Sequence, residues 1–290
     1  MNPSHKQRIL TALVLLPILA AAVSVRGVFE FAVLAAVSCL GLWEFYTLFW
    51  KERFTGYKVA GLLLGLTILT AARAGNPWGI LAAIIAGHWV ANLRFLLRYA
   101  ACAKDCADQE ETPPPPLPDD TGYPLSGVFV AGLLYLPLLL SFVTRMKAIE
   151  VILVLLAVIA ADVGAYYAGS LVGGPKVWPE VSPKKTWAGS LGGMAATVFL
   201  CLVMDFLDEF WLGGAGAGRP WWMWVLLGAA LNLAAQFGDF FESALKRRLG
   251  VKDSGTILPG HGGILDRIDS LLLAIPVYAG LDALFGFFVR

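Results

Sequence analysis

The sequence predicts an all-α polytopic membrane protein. Of the 290 residues, 58% are hydrophobic and only 15% are charged, and apolar runs close to the length of a membrane span recur from end to end. Soluble domains carry roughly 25% charged residues, and a helix needs about 20 apolar residues to cross a bilayer. No polar stretch is long enough for a soluble domain, so we expect a single membrane domain over 1–290. The net charge of +1 argues neither for nor against a charged partner, and nucleic acid is not expected as a partner.

Nine apolar segments are predicted as transmembrane helices. Their approximate bounds are 9–25, 28–48, 57–73, 78–97, 126–143, 149–171, 189–207, 222–241 and 270–288. The first follows a short basic start, as a signal peptide does. An uncleaved first helix is the favoured interpretation, because further spans follow at once.

The positive charges between these spans predict the orientation of the chain. If the N-terminus is inside, most of the 22 Lys and Arg residues fall on that same side of the membrane. Cytoplasmic loops carry such an excess of positive charge. We therefore expect a cytoplasmic N-terminus and, after nine spans, a C-terminus on the opposite side.

A polar segment at 104–121 lies between the fourth and fifth predicted spans. It is acidic and contains four consecutive prolines, a composition typical of flexible, solvated linkers. We expect N-terminal helices over 1–148 and a catalytic group over 149–290. Cys102 and Cys106 are a single spaced pair without a neighbouring histidine, so they do not predict a zinc site, which needs four ligands.

A polar stripe marks the helix predicted over 222–241 when it is continued by one or two turns. The stripe consists of Asn232, Gln236, Asp239, Ser243 and Lys246. These spacings place all five side chains on one helix face, which must contact protein or water and not lipid. Hydrogen bonds between helices would account for the two amides. A carboxylate at this depth is costly unless it is paired or bound to metal, so Asp239 indicates a functional site.

The link between the last two spans is basic and rich in glycine. Its basic residues are Lys246, Arg247, Arg248 and Lys252, and its turn residues are Gly255, Pro259, Gly260, Gly262 and Gly263. Basic groups balance phosphate charge, and glycines let backbone N–H groups approach phosphate oxygens. An ordinary positively charged cytoplasmic loop is an alternative that the charges alone leave open.

Two aspartates follow the link, at the start of the last span. Asp266 and Asp269 lie on adjacent turns of one helix face, at a helix N-terminus. Capping would account for one of them. Together with Asp239 they indicate a hard-cation site, since Mg²⁺ binds one or two carboxylates with water and substrate phosphates. Cation-assisted phosphoryl chemistry needs this set of groups and no protein nucleophile.

Two further features are predicted on the same side of the membrane as the link. Asp162 lies within span 149–171, and the turn 182–187 (SPKKTW) precedes span 189–207. Lys184 and Lys185 are also explained by the charge bias of cytoplasmic loops. Asp162 and this turn are our candidates for the remaining walls of a site over 239–270.

These residues together resemble the phosphatidate cytidylyltransferase family, also called CDP-diacylglycerol synthases. Every specified position of that family's C-terminal pattern is met between Ser243 and Asp269, and the segments at Asp162 and 182–187 are similar to it as well. The clear likeness covers about residues 155–275. One departure is Ala188, which stands where the family usually has glutamate, so no role is carried onto that position.

The resemblance implies transfer of a cytidylyl group from CTP to phosphatidic acid, which gives CDP-diacylglycerol and pyrophosphate. It implies an enzyme of the bacterial inner membrane with a cytoplasmic site, Mg²⁺ as cofactor with a second cation as an option, and a homodimer. The catalytic candidates are Asp239, Asp266, Lys246 and Lys252. The metal candidates are Asp239, Asp266 and Asp269. The substrate-binding candidates are Ser182, Lys184, Lys185, Thr186, Ser243, Arg247, Asp253, His261, Gly262, Gly263, Arg267 and Asp162.

Two other functions stay open on the residues alone. A CTP-dependent kinase of polyprenols or other lipids would use similar groups but transfer the γ-phosphate. An ion-coupled transporter would show acidic residues along several helices and an internal repeat, and no repeat is evident in the sequence.

Overall fold

The structure, a computed structural model, describes residues 3–108, 123–211, 219–260 and 262–288. Within these ranges it is helical, with two isolated β-bridges and no β-strand. The helices are α1 (Pro3–Val25), α2 (Gly27–Trp50), α3 (Thr55–Arg73), α4 (Pro77–Asp108), α5 (Tyr123–Leu133), α6 (Leu139–Ser141), α7 (Ala148–Leu171), α8 (Trp187–Trp211), α9 (Trp221–Arg248) and α10 (Leu265–Phe285). A π-helical turn (Leu134–Leu138) joins α5 to α6, and a 3₁₀ turn (Phe142–Arg145) follows α6.

The prediction of an all-α polytopic membrane protein is confirmed. Eight helical segments among the described residues are long and apolar enough to cross a membrane. They correspond to the second to ninth predicted spans, and the first is represented by a shorter apolar stretch, Leu13–Val25. The orientation of the spans stays a prediction.

Two helix boundaries differ from the predicted ones in a way that matters for the site. Helix α9 continues to Arg248, so Ser243 and Lys246 lie on the helix as the stripe required. Helix α10 begins at Leu265, so both Asp266 and Asp269 are helical.

Helix α4 continues to Asp108, because the alanines and lysine after residue 98 favour a helix. The predicted linker therefore begins later than residue 104, and residues 109–122 lie outside the described ranges.

The chain forms two compact units. One comprises Met1–Val33 with Arg145–Arg290, and the other comprises Leu34–Thr144. Helices α7–α10, which carry the polar motifs, all belong to the first unit. The assignment of 1–290 to a single membrane domain stays a prediction.

The core of the unit Leu34–Thr144 is built around a buried tyrosine. Tyr46 is fully buried, and its hydroxyl donates a hydrogen bond of 2.8 Å to the carbonyl oxygen of Phe129. Its ring stacks on that of Phe129 of α5 with centroids 5.7 Å apart. Gly61 leaves room for this ring, because a Cβ there would lie 2.5 Å from it. Aromatic stacking and small residues thus bring α2 close to its neighbours.

In the other unit, glycines let the site-bearing helices approach at backbone distance. A Cβ at Gly192 would lie 2.2 Å from the Cβ of Ala168, which shows how closely α8 packs on α7. A Cβ at Gly238 would lie 2.4 Å from the carbonyl oxygen of Asp269, so α9 and α10 touch at this point. Small residues permit such contacts between membrane helices. This second contact places Asp239, the next residue on α9, beside the first turns of α10.

Candidate functional site

A cavity of about 390 Å³ lies between helices α7, α8 and α9. Five sequence-predicted residues line it: Asp162, Lys184, Lys185, Thr186 and Asp239. The structure therefore brings the 182–187 turn and the α7 aspartate to the carboxylate of α9. The remaining wall includes polar and aromatic side chains, namely Tyr166, Ser170, Ser190, Gln236, Phe240 and Ser270.

The carboxylate of Asp239 is paired with a lysine from the turn. One oxygen, Oδ2, accepts a hydrogen bond from Lys185 Nζ, and the other, Oδ1, accepts one of 3.3 Å from the Ser243 hydroxyl. The lysine ammonium also lies 4.6 Å from the centre of the Phe240 ring, a distance typical of cation–π contacts. The side chains of Lys185 and Asp239 are 32% and 27% exposed, so incoming phosphate or metal can reach this ion pair.

Two further carboxylates lie within electrostatic range of Asp239. Asp162 of α7 interacts with Asp239, Lys185 and Arg267. Asp269 of α10 also interacts with Asp239 and with Lys185. Because Asp162 and Asp269 each repel the charge of Asp239, added positive charge is favoured on this side of the cavity.

The membrane-buried half of the α9 stripe serves helix packing. Asn232 is fully buried and donates from Nδ2 to the Thr197 hydroxyl at 3.4 Å. The Ser190 hydroxyl donates to Gln236 Oε1 at 2.5 Å, and Gln236 Nε2 donates to the Ser190 carbonyl oxygen at 3.3 Å. These bonds join α9 to α8, as expected for a polar stripe that avoids lipid. The part of the stripe that is left for chemistry therefore begins at Asp239.

Lys246, at the far end of the stripe, is held between two buried carboxylates. Its Nζ lies 2.6 Å from Glu242 Oε2 on the preceding turn of α9 and 2.6 Å from Asp266 Oδ1 on α10. The side chains of Lys246, Asp266 and Glu242 are 15%, 5% and 0% exposed. This triad joins the end of α9 to the start of α10. The ammonium of Lys246 therefore pairs with two carboxylates of the protein. The sequence, in contrast, predicts that it neutralises the charge of the triphosphate.

Asp266 also organises the glycine-rich link. Its carboxylate accepts hydrogen bonds from the backbone N–H of Ser254 at 2.9 Å and of Gly263 at 2.8 Å. Gly262 has a φ of +83°, and a Cβ there would lie 2.8 Å from Asp266 Oδ2, so only glycine fits. The sequence predicts that Gly263 contacts substrate phosphate, whereas in the structure its N–H donates to Asp266.

Backbone hydrogen bonds hold the turn that carries Lys184 and Lys185 in place. Val177 N donates to the Lys185 carbonyl oxygen at 3.1 Å, and Trp187 N donates to that of Pro175 at 3.0 Å. The buried Thr186 hydroxyl accepts from Gly189 N at 3.1 Å and so caps α8. The ammonium of Lys184 is exposed on the cavity wall. Lys184 and Lys185 are therefore presented on a supported loop.

Other predicted residues lie around this site but do not line the cavity. Ser182 is in the turn, where its backbone N–H donates to the Trp178 carbonyl oxygen at 2.9 Å. Exposed positions on or beside the link are occupied by Arg247, Lys252, Asp253 and Arg267. His261 lies outside the described residues. Ala188 stands in the first turn of α8.

A hard cation fits the oxygen donors on this side of the cavity. Within the described ranges, no group of three or more His, Cys, Asp or Glu residues is arranged to hold a metal ion. Mg²⁺ does not require such a group, because it binds through one or two carboxylates plus water and phosphate oxygens. Asp239 can supply such a carboxylate. Its Oδ2 already binds a positive group, the ammonium of Lys185, so a metal cation could take the same position.

The sequence reading missed three residues of this arrangement: Glu242, Ser190 and Ser254. Glu242 precedes Lys246 by four residues, the favourable order for a helical ion pair, and that spacing was a usable signal. Ser190 and Ser254 act through contacts with residues far away in the sequence. No local pattern marks them.

Fold and cavity define a polytopic helical membrane protein with an acidic and basic site suited to phosphate chemistry. A model described as "Cytidylyltransferase family" matches residues 6–285. The chain therefore belongs to the cytidylyltransferase family, and the resemblance seen in its sequence is confirmed.

Relatives in this family share sequence with much of the chain. A phosphatidate cytidylyltransferase of Brucella suis biovar 1 is 42% identical over 166 residues, which are 57% of this chain and 57% of the relative. One of Staphylococcus haemolyticus is 33% identical over 231 residues, 74% of this chain and 82% of the relative. One of Staphylococcus aureus strain COL is 33% identical over 225 residues, 76% and 78% of the two chains. The match thus spans little more than half of the Brucella protein.

Proposed function

We propose that this protein transfers a cytidylyl group from CTP to phosphatidic acid and releases CDP-diacylglycerol and pyrophosphate. The observation that carries the proposal is the cavity in which the Lys184–Lys185 turn meets Asp239 and Asp162. Relatives named phosphatidate cytidylyltransferase share the chain's sequence over most of its length. Such a site combines the charges that phosphoryl chemistry requires, beside helices that reach the bilayer.

In this reaction a phosphate oxygen of the lipid attacks the α-phosphorus of CTP. The bond from that phosphorus to the oxygen leading to the β-phosphorus breaks, and pyrophosphate leaves. Both reactants are anionic, so the protein must hold them together against their repulsion. Two lysines of the turn supply positive charge for this purpose. Lys184 is exposed on the cavity wall, and Lys185 can leave its ion pair with Asp239 to bind phosphate.

Asp239, Asp266 and Asp269 are the carboxylates that we propose for Mg²⁺. Held by these carboxylates, the cation would supply positive charge that favours departure of pyrophosphate. Asp239 is the first choice, because a bound cation would displace only Lys185 and Ser243 among the residues that the structure describes. Asp266 would have to give up a bond to Lys246, Ser254 or Gly263, so its larger contribution is to hold the link.

We further propose that the site faces the cytoplasm, in the inner membrane of a bacterium. The excess of Lys and Arg on the side of the link supports that orientation. CTP is available on that side of the membrane. A homodimer is proposed from the family resemblance, and cross-linking of the purified protein in detergent tests it.

The identity of the transferred group is the sharpest test of the proposal. With CTP labelled at either the α- or the γ-phosphate, we expect the α-label to enter the lipid and the γ-label to leave as pyrophosphate. Chelation of divalent cations should abolish the product, and added Mg²⁺ should restore it. If the γ-label appeared in the lipid with release of CDP, the protein would be a kinase and the proposal would be wrong.

Replacement of Lys184 and Lys185 together by alanine should raise the KM for CTP or lipid. Each lost contact between a charged donor and phosphate is worth roughly 1.5–3 kcal/mol, so we expect an increase of about tenfold or more. Steady-state kinetics with each substrate varied in turn measures the effect. Lys104→Ala, an exposed lysine at the end of α4, is the control. Unchanged KM values for both substrates would remove the turn from the binding site.

A further inference from the structure

An arginine of α4, in the unit Leu34–Thr144, lies against two aromatic rings. The guanidinium carbon of Arg94 is 3.8 Å from the ring centre of Phe54 and 4.4 Å from that of Tyr57. Cation–π contacts engage the flat face of a guanidinium, whereas its five N–H donors lie in the plane of the group. The rings therefore orient the donors of Arg94 without using them.

Among the residues that the structure describes, Arg94 has no acidic partner. Its recorded interactions are with Phe54, Tyr57 and the neighbouring charge of Arg98. Arg98 lies one helical turn further along α4 and is exposed. Like charges at this spacing repel each other. An anion bound between the two guanidinium groups would relieve that repulsion.

The turn that supports these rings has a strained backbone. Phe54 has a φ of +63° and Lys51 a φ of +49°, values that are uncommon for residues other than glycine. Buried Lys58 closes the turn by donating from Nζ to the Lys51 carbonyl oxygen. The position of the Tyr57 ring is also fixed, because its hydroxyl donates to the Val90 carbonyl oxygen at 2.9 Å. Strain that surrounding contacts impose in this way is typical of binding sites.

The surface of α4 around the two arginines is apolar. Trp89, Leu93, Leu96 and Leu97 are 73%, 58%, 58% and 63% exposed. On a helix that can cross a membrane, exposed apolar side chains contact acyl chains. An arginine near the end of such a helix reaches the headgroup region. Positive charge and an acyl-chain surface thus occur together here.

From this arrangement we propose that Arg94 and Arg98 bind the phosphate of an anionic phospholipid whose acyl chains lie along α4. Arginine recognises phosphate through paired N–H···O bonds, and the stacked group presents its edge for such a pair. We propose this lipid as a bound component and not as a reactant. All residues of the proposed lipid site belong to the unit Leu34–Thr144, and the cavity-lining residues belong to the other unit. The proposal does not depend on the chemistry proposed above.

Binding of short-chain phosphatidylglycerol to the full-length protein in a neutral detergent tests the proposal. Native mass spectrometry counts the bound lipid, with phosphatidylcholine of the same chain length and inorganic phosphate as comparison ligands. We expect Arg94→Gln to weaken phosphatidylglycerol binding by about tenfold or more, the effect of losing a charged hydrogen-bonding group. Lys104→Gln, further along α4 and exposed, should leave binding unchanged.

The other variants and ligands decide between sources of the phosphate. Arg94→Lys keeps the charge but loses the planar pair of donors, so it should weaken binding several-fold even if Arg94→Gln fails to fold. Equal binding to wild type and Arg94→Lys would overturn the proposal. Equal occupancy by phosphatidylcholine would also contradict it, and inorganic phosphate that binds as tightly as the lipid would identify a free-anion site in its place.

Discussion

The Asp239→Asn variant should fold normally and lose Mg²⁺-dependent formation of CDP-diacylglycerol almost completely. Asparagine keeps the shape of the side chain and its contact with Ser243, but it removes the charge that faces Lys185 and the proposed cation. Loss of one preorganised electrostatic group typically lowers kcat by about 10²–10³-fold, and loss of a metal ligand adds to that. The measurement is the rate of lipid labelling from α-labelled CTP across a range of Mg²⁺ concentrations.

Glu52→Gln is the control for Asp239→Asn. It makes an acid-to-amide change at an exposed position of the α2–α3 turn, and its rate should match wild type. If Asp239→Asn instead kept near-normal activity with an unchanged Mg²⁺ requirement, the metal would have to be held elsewhere. Activity restored by high Mg²⁺ would support the assignment, because weakened metal binding is overcome by mass action.

The helical part of the fold could be predicted from sequence because the bilayer imposes a simple rule. Each apolar run must satisfy its backbone within one segment, so length and hydropathy alone located α2–α4 and α7–α10. The boundaries were less accurate where polar helical turns leave the membrane. At Arg248 and Leu265 the helix limits depend on contacts such as that between Lys246 and Asp266, which hydropathy does not encode.

Periodicity predicted which residues of α9 share a face, but not what each of them contacts. Asn232 and Asp239 belong to one stripe, yet the first binds α8 and the second faces the cavity. The difference arises from the packing of α8 against one part of α9 and the position of the 182–187 turn beside the next. Those contacts join residues far apart in the chain, so a single sequence does not reveal them.

The largest expected effect on stability follows replacement of Lys246 by methionine. The change leaves Glu242 and Asp266 buried at 0% and 5% exposure without their common counter-charge. Breaking a buried ion pair from one side typically costs about 3–5 kcal/mol. The variant should therefore unfold at a markedly lower temperature, and activity should fall with it because Asp266 holds Ser254 and Gly263. Thermal unfolding in detergent, followed by circular dichroism, measures the effect.

A double variant separates the structural role of Lys246 from direct binding of CTP. Glu242→Gln with Lys246→Met removes one of the two stranded charges, so it should be less destabilised than Lys246→Met alone. Lys252→Met, an exposed lysine on the same link, should change stability by less than about 0.5 kcal/mol. A Lys246→Met protein with normal unfolding and only a raised KM for CTP would contradict the structural role proposed for the triad of Lys246, Glu242 and Asp266. It would return Lys246 to the role that its position in the basic link first suggested, that of a group that contacts the nucleotide phosphates.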